Sequence, residues 1–129
     1  MGPMVTDTQR EKVREQVAAA KESGAKVLYE SEVPAVLNGN FQAITVLSEL
    51  SQDMTIQTDE TFGPVVAMAT FDGSEEEAVR LANDSEYGLA SYVYTGDLDK
   101  GKRVARRIRS GQVGINCYSI ASAQPKCPW

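Results

Sequence analysis

The chain has 129 residues, of which 42% are hydrophobic and 24% are charged, values typical of a folded globular domain and not of a disordered segment. Its formal net charge of −5 argues against a nucleic-acid partner, and no apolar run approaches the roughly 20 residues that cross a bilayer, so no membrane partner is predicted either. Two cysteines, Cys117 and Cys127, and no histidine offer neither a metal site nor a disulfide framework, which indicates a reducing, cytoplasmic compartment.

The N-terminal segment predicts a helix. Its first ten residues lack the basic and apolar regions of a secretory signal. Thr6, followed three residues later by Gln9, is instead a capping pattern that begins a helix, and Gly24 is the expected stop. Between these signals the apolar residues Val13, Val17 and Ala20 recur at helical spacing, which makes them candidate core residues.

Two short strands are predicted after this helix. They lie at residues 25–29 and 41–47, separated by a loop at 30–40 that contains proline, asparagine and glycine. The residues Ile44, Thr45 and Val46 mark the centre of the second strand. Residues 51–63 are polar and irregular, with a few extended residues expected at 55–58.

A regular alternation of strands and helices begins at Pro64. The nearly continuous apolar run 64–71 predicts a strand covered on both faces. Ser74 begins a second helix, Asp97 caps a third that ends at Gly111, and strands are expected at 89–94 and 113–116. The inward residues are expected to be Ala78, Leu81 and Ala82 on the second helix, and Leu98, Val104, Ala105 and Ile108 on the third. This order predicts two right-handed crossovers and an α/β fold, a mostly parallel sheet with flanking helices.

The charged clusters have local explanations. Glu75, Glu76 and Glu77 lie in the first turn of a predicted helix, where the helix dipole favours acids without any active site. The basic run from Lys100 to Arg109 predicts a solvated helix face, because no aromatic residues interleave with it as they do in nucleic-acid sites. With no histidine to activate a nucleophile and no glycine-rich phosphate loop, no catalytic residue and no metal ligand is assigned.

The segment from Asp53 to Val65 contains the most specific motif, in which Glu60, one variable residue and then Phe62-Gly63-Pro64 lead into a predicted strand. This arrangement resembles the signature of the NAD(P)-dependent aldehyde dehydrogenase superfamily. Further matches follow in family order at Gly2-Pro3-Met4-Val5, Thr45-Val46-Leu47, Leu81-Ala82-Asn83-Asp84, Tyr87-Gly88-Leu89-Ala90 and Gly111-Gln112-Val113-Gly114-Ile115-Asn116. The resemblance covers essentially the whole chain and implies that residues 1–129 are a C-terminal part of the catalytic domain.

The resemblance implies a cofactor-binding role for Glu60 and Phe62. A carboxylate at position 60 can accept hydrogen bonds from the two vicinal hydroxyls of the nicotinamide ribose, while Phe62 offers an apolar face beside the nicotinamide ring. Gly63 permits a close backbone turn and Pro64 stiffens it. Taken alone, Glu60 would be a solvated loop acid and Phe62 a core residue, and the motif favours the cofactor role. The expected cofactor is NAD or NADP, since the adenosine-ribose pocket that distinguishes them is missing.

The segment that begins at Asn116 resembles the family stretch that lines the aldehyde tunnel. The resemblance implies substrate-binding positions at Ser119, Ala121 and Trp129. For Trp129 an aromatic wall of the tunnel is expected, and the alternative is a loosely ordered chain end. Cys117 follows a predicted strand and has no partner base in the chain, so it is expected to pack rather than to act as a nucleophile.

The resemblance also indicates which groups of the reaction this chain lacks. In the family a cysteine thiolate attacks the aldehyde, hydride passes to nicotinamide, and a glutamate-activated water releases the carboxylic acid. That cysteine, that glutamate, an asparagine that holds the oxyanion and the dinucleotide-binding domain all belong upstream of Gly2. We therefore expect an inactive piece of a cytoplasmic, homo-oligomeric enzyme. The alternative is a naturally truncated, catalytically inactive binding or assembly module.

Overall fold

The computed structural model describes residues 1–117 of the chain. The described residues divide into two compact units, the first formed by Met1–Thr70 and the second beginning at Phe71. No helix in the described part of the chain is long and apolar enough to cross a membrane.

Helix α1 of the first unit spans Asp7–Glu22. The hydroxyl oxygen of Thr6 accepts a hydrogen bond from the backbone N–H of Gln9 at 3.1 Å, which satisfies one of the donors that a helix start leaves unpaired. Gly24 follows the last turn with a φ of 100°, a conformation that glycine adopts without a steric penalty. The predicted start, stop and buried face of this helix are therefore confirmed, with Val13, Val17 and Ala20 all buried.

The first unit also contains a three-stranded sheet. Its strands are β1 (Lys26–Glu30), β2 (Thr45–Ser48) and β3 (Val65–Ala67), in the order β1-β2-β3. Strand β2 pairs antiparallel with β1 and parallel with β3, and the β1–β2 register shifts between Val27 and Tyr29. The core of this unit is a single cluster that joins α1 to β2 and to the segment after it, formed by Val13, Val17, Ala20, Leu47, Leu50, Met54 and Ile56.

Three details of the first unit differ from the sequence predictions. Strand β2 begins at Thr45 and not at residue 41. Residues 55–58, expected to be extended, form a one-turn helix, α2 (Thr55–Thr58), because burial of Ile56 in the core outweighs the strand preference of its β-branched neighbours. Within residues 1–117 the predicted strand 64–71 is paired only from Val65 to Ala67, and Val66 is 49% exposed, so the described residues do not cover it on both faces.

The second unit is a strand–helix–strand arrangement preceded by a helix. Helix α3 spans Glu75–Ala82, strand β4 Ala90–Val93, helix α4 Leu98–Ala105 and strand β5 Gln112–Ile115. The predicted caps are confirmed, since Ser74 accepts from the N–H of Glu77 and Asp97 accepts from the N–H groups of Asp99 and Lys100. Helix α4 packs closely on the strands at Gly101, where an added Cβ would lie 2.9 Å from a methyl of Thr95 and 3.0 Å from one of Ile115.

The predicted α/β class with mostly parallel pairing is confirmed, because two of the three strand pairings are parallel. Within the first unit β3 pairs with β2, and within the second unit β4 pairs with β5. Leu98 was expected to point inward but is 54% exposed, and the buried residues of α4 are Gly101 and Val104. On α3 the buried residue is Val79, one position away from the predicted Ala78.

Candidate functional site

The segment Glu60–Pro64, here called the Glu60 loop, connects α2 to β3. At its start the N–H of Asp59 donates to the carbonyl of Thr55 at 2.7 Å, which ends α2. At its end Pro64 is buried, and its carbonyl accepts from the N–H of Thr45 at 2.9 Å, next to the first pair of the β2–β3 ladder. Both ends of the loop are therefore held by neighbouring elements.

The side chains of the Glu60 loop alternate in exposure. Glu60 is exposed and Phe62 is 67% exposed, whereas the hydroxyl oxygen of Thr61 between them is buried and has no hydrogen-bond partner among the described residues. The structure thus brings the two sequence-predicted cofactor residues to the surface of one short loop.

Helix α1 contacts the Glu60 loop through the side chains of Gln9 and Val13. The side-chain amide of Gln9 donates to the carbonyl of Phe62, with Nε2 and O 3.1 Å apart. Val13 lies one turn after Gln9 on α1 and packs against Gly63 of the loop. A Cβ added to Gly63 would be 2.6 Å and 2.9 Å from the two methyl carbons of Val13. The Gln9 side chain therefore does not return to the start of its own helix, as a capping box would require, but is used to hold the loop.

The remaining residues considered for the site belong to the C-terminal segment that begins at Asn116. Ser119, Ala121 and Trp129, the predicted aldehyde-tunnel positions, lie outside the described residues. Cys117 is described, and its thiol is free and exposed. Its sulfur lies beside Gly114, where an added Cβ would be 3.1 Å away.

Two asparagines of the second unit have roles that the sequence analysis did not assign. The side-chain oxygen of Asn83 accepts from the N–H of Arg109 at 2.6 Å, and its nitrogen donates to the carbonyl of Arg107 at 2.9 Å. Asn116 has a left-handed φ of 51° and makes the same kind of double contact with Thr95, accepting from its N–H at 2.8 Å and donating to its carbonyl at 2.9 Å. Both residues were quoted as family matches, and their position at the end of a helix or strand was the available signal for such a role.

The charged helix faces of the second unit pair with each other. Glu75 on α3 accepts from the guanidinium of Arg103 on α4 at 2.7 Å, and Glu76 lies 3.3 Å from that of Arg107. The hydrogen bond from Arg103 lowers the pKa of Glu75 below its ordinary value. The N–H groups of Lys100 and Asp99 likewise lower the pKa of Asp97, as expected for a helix cap. The basic run is thus partly an ion-pair partner of α3 and not solely a solvated face.

A small cavity of about 200 Å³ opens in the second unit at the carboxyl end of β4. It lies beside the first turns of α3 and α4, and its lining includes Phe71, Tyr94 and Lys100. This volume is below the roughly 300–1,000 Å³ of ordinary ligand sites. Within residues 1–117, no group of three or more cysteine, aspartate or glutamate side chains is arranged to hold a metal ion.

Comparison with known proteins identifies relatives of this chain. The sequence profile of the Aldehyde dehydrogenase family matches residues 1–129. Betaine aldehyde dehydrogenase from Beta vulgaris, a chloroplastic protein, is 42% identical over 118 residues, which are 91% of this chain and 23% of the relative. Betaine aldehyde dehydrogenase from Bacillus subtilis is 42% identical over 131 residues, covering 99% of this chain and 26% of the relative.

A solved structure gives the same result for the fold. An aldehyde dehydrogenase of Mycobacterium tuberculosis, crystallised with NAD+, superposes with a TM-score of 0.88 at 40% identity. The match covers 97% of this chain and 26% of that protein. The chain therefore spans about a quarter of the length of the relatives it matches.

Proposed function

Because this chain belongs to the aldehyde dehydrogenase family, we propose that it is a C-terminal part of the catalytic domain of an NAD(P)-dependent aldehyde dehydrogenase, here called the parent enzyme. Residues 1–129 would form a partial catalytic domain, with the dinucleotide-binding domain and the catalytic cysteine elsewhere in the parent enzyme. The span of about a quarter of each relative supports this division. The parent enzyme would oxidise an aldehyde to a carboxylic acid.

The cofactor proposed for the parent enzyme is NAD+ or NADP+, which accepts the hydride when bound. The similar Mycobacterium tuberculosis structure was solved with NAD+, and this supports the assignment. The Glu60 loop fits such a cofactor, because it presents a carboxylate and a largely exposed aromatic ring two positions apart on a backbone held by α1. The ring of Phe62 is 67% exposed, so its face is accessible to a ligand.

Within this proposal Glu60 and Phe62 have different tasks. The Glu60 carboxylate accepts hydrogen bonds from the vicinal hydroxyls of the nicotinamide ribose, because ionised carboxylates are strong paired acceptors. Phe62 provides an apolar surface beside the nicotinamide ring. Neither side chain makes or breaks a bond of the substrate. The observation that carries the proposal is their joint exposure on the one loop that carries the family motif.

The substrate side of the proposal depends on Ser119, Ala121 and Trp129, which would line the aldehyde tunnel. The relatives include betaine aldehyde and aminoaldehyde dehydrogenases. One candidate substrate class is therefore an aldehyde that itself carries a cationic or amino group. The parent enzyme is further proposed to be a cytoplasmic homo-oligomer. Relatives assigned to chloroplasts and peroxisomes leave that compartment to be tested directly.

Substitution of Glu60 by glutamine in the parent enzyme tests the proposed function. Glutamine keeps the size of the side chain but removes the charge, and a charge-assisted hydrogen bond contributes about 1.5–3 kcal/mol. We expect a loss of roughly tenfold to a hundredfold in cofactor binding or kcat, measured by fluorescence titration and steady-state kinetics. Misplacement of the nicotinamide ring adds to the loss in kcat, because hydride transfer requires close alignment.

Glu76→Gln is the matched control. Glu76 is an exposed glutamate of α3 whose ion pair with Arg107 lies on the surface, and such pairs contribute little. Its variant should change cofactor kinetics by less than about threefold. If the Glu60 and Glu76 variants behave alike, Glu60 is a solvated loop acid and the proposed cofactor role is wrong.

A further inference from the structure

We propose that Gln9 is a positioning residue for the cofactor site: its side-chain amide on α1 holds the Phe62 carbonyl and thereby sets the place of Glu60 and Phe62. This inference rests on the proposed function of the Glu60 loop. Gln9 itself makes no contact with substrate or cofactor in this proposal. It acts through one backbone carbonyl.

The hydrogen bond that carries the inference joins two elements far apart in the chain. Gln9 Nε2 lies 3.1 Å from the carbonyl oxygen of Phe62, 53 residues later. Two neighbouring hydrogen bonds are local, since the N–H of Gly63 donates to Thr61 at 3.0 Å and that of Val65 to Gly63 at 2.8 Å, and at the end of the loop the Pro64 carbonyl accepts from the N–H of Thr45 at 2.9 Å. The local bonds shape the loop and the bond from Thr45 fixes its end at Pro64, whereas the Gln9 bond fixes its middle at Phe62, between Glu60 and that end.

The anchor on α1 is itself rigid. The backbone N–H of Gln9 donates to the Thr6 side chain in the helix cap, so the start of the Gln9 side chain is held in the first turn. Residues four apart lie on the same helix face, and the residue four positions after Gln9 is Val13, which touches Gly63. One face of α1 therefore contacts two consecutive residues of the loop, by a hydrogen bond and then by packing.

Gln9→Glu separates positioning of the loop from support of the helix. Glutamate has the size of glutamine, but the ionised side chain has no N–H to donate to the Phe62 carbonyl. At the third position of a helix, glutamate is favoured by the helix dipole and can complete a capping box with Thr6. The helix should therefore be as stable as before or more stable, while the loop loses its anchor. A purely structural role of Gln9 in α1 does not produce that combination.

The first measurement uses the 129-residue chain and amide hydrogen exchange followed by NMR. Loss of the hydrogen bond from Gln9 should make the amide hydrogens of Gly63 and Val65 exchange about three- to tenfold faster in Gln9→Glu than in the original chain. Exchange in the middle of α1 should be unchanged. Gln42→Glu is the matched control, because Gln42 accepts from Arg14 at 3.2 Å and a carboxylate keeps that acceptor role. It should leave the loop rates as they are. Equal loop rates in the Gln9 variant, the Gln42 variant and the original chain would overturn the proposal.

The second measurement uses the parent enzyme and a neutral substitution, Gln9→Met, which adds no charge near the cofactor. Loss of the anchor should raise the Kd for the cofactor about three- to tenfold and lower kcat by a similar factor, with the KM for the aldehyde unchanged. If Glu60→Gln impairs the enzyme and Gln9→Met does not, the positioning role is wrong and the cofactor role of Glu60 stands. If neither impairs it, the proposed function itself fails.

Discussion

Replacement of Gly63 by alanine measures how tightly the Glu60 loop is seated on α1. The new Cβ would lie 2.6 Å from one methyl of Val13, 2.9 Å from the other and 3.3 Å from its Cβ. Val13 has no exposed surface, and a valine in a helix has one strongly preferred rotamer, so rotation cannot remove the clash. Overpacking of this kind costs about 1–3 kcal/mol. We expect the upper half of that range, which corresponds to a melting temperature lower by about 8–12 °C.

Circular dichroism during thermal and urea unfolding provides the measurement. Gly96→Ala is the control, because nothing lies within 4 Å of its added Cβ and its φ is ordinary; it should be neutral or stabilising by up to about 1 kcal/mol. The double variant Val13→Ala/Gly63→Ala should lose about 1–2 kcal/mol less than the sum of the single variants, because the new methyl fills the vacated space. A neutral Gly63→Ala, or single effects that simply add, would refute the close seating.

Four further outcomes are expected. The purified 129-residue chain with an aldehyde and NAD+ should show no rise in absorbance at the NADH wavelength, and turnover that persists in the double variant Cys117→Ser/Cys127→Ser would contradict the inactivity predicted for it. The exposed apolar residues of β3 should make the chain self-associate, which a monomer by light scattering across a wide concentration range would exclude. Arg103 lowers the pKa of Glu75, so this ion pair stabilises the fold at pH values above 4.5, the ordinary pKa of glutamate. The stabilisation is lost as the pH falls through the lower pKa of the folded state. The urea midpoint of Glu75→Gln should therefore depend less on pH in that acidic range than the midpoint of the original chain. Asn83→Ala removes two hydrogen bonds to the 107–109 backbone and should lower the free energy of unfolding by about 1–3 kcal/mol in the same urea assay.

Helix starts could be predicted from the sequence because a cap is a local event. Thr6, Ser74 and Asp97 each accept from a backbone N–H two or three residues later, so a window of four residues contains both partners. The turn at 55–58 could not be predicted in this way. Its β-branched residues favour strands, and the burial of Ile56 that overrides them depends on α1 and β2, which are distant in sequence.

The partners of the strands and the contacts that hold the Glu60 loop also could not be predicted from local sequence patterns. The alternation after Pro64 does not indicate the partner of β3 within the first unit, which is β2, a strand from a stretch without that regularity. For the site, the motif identified Glu60 and Phe62, and both side chains are exposed as a ligand contact requires. Gln9 was assigned to the helix cap, because Thr-x-x-Gln satisfies a local pattern and nothing within the sequence window indicates Phe62 as its partner.

The Asn116 side chain behaves as an additional peptide group at the end of β5. It offers one acceptor and one donor to Thr95, while its own N–H donates to the carbonyl of Val93 at 2.9 Å. Asparagine side chains slowly lose ammonia as a protein ages, and the aspartate that results has no donor. Its carboxylate would then face the Thr95 carbonyl across about 2.9 Å, where two acceptors repel each other. Deamidation of Asn116 would thus weaken the link between the end of β5 and Thr95, while the backbone bond from Asn116 to Val93 would remain.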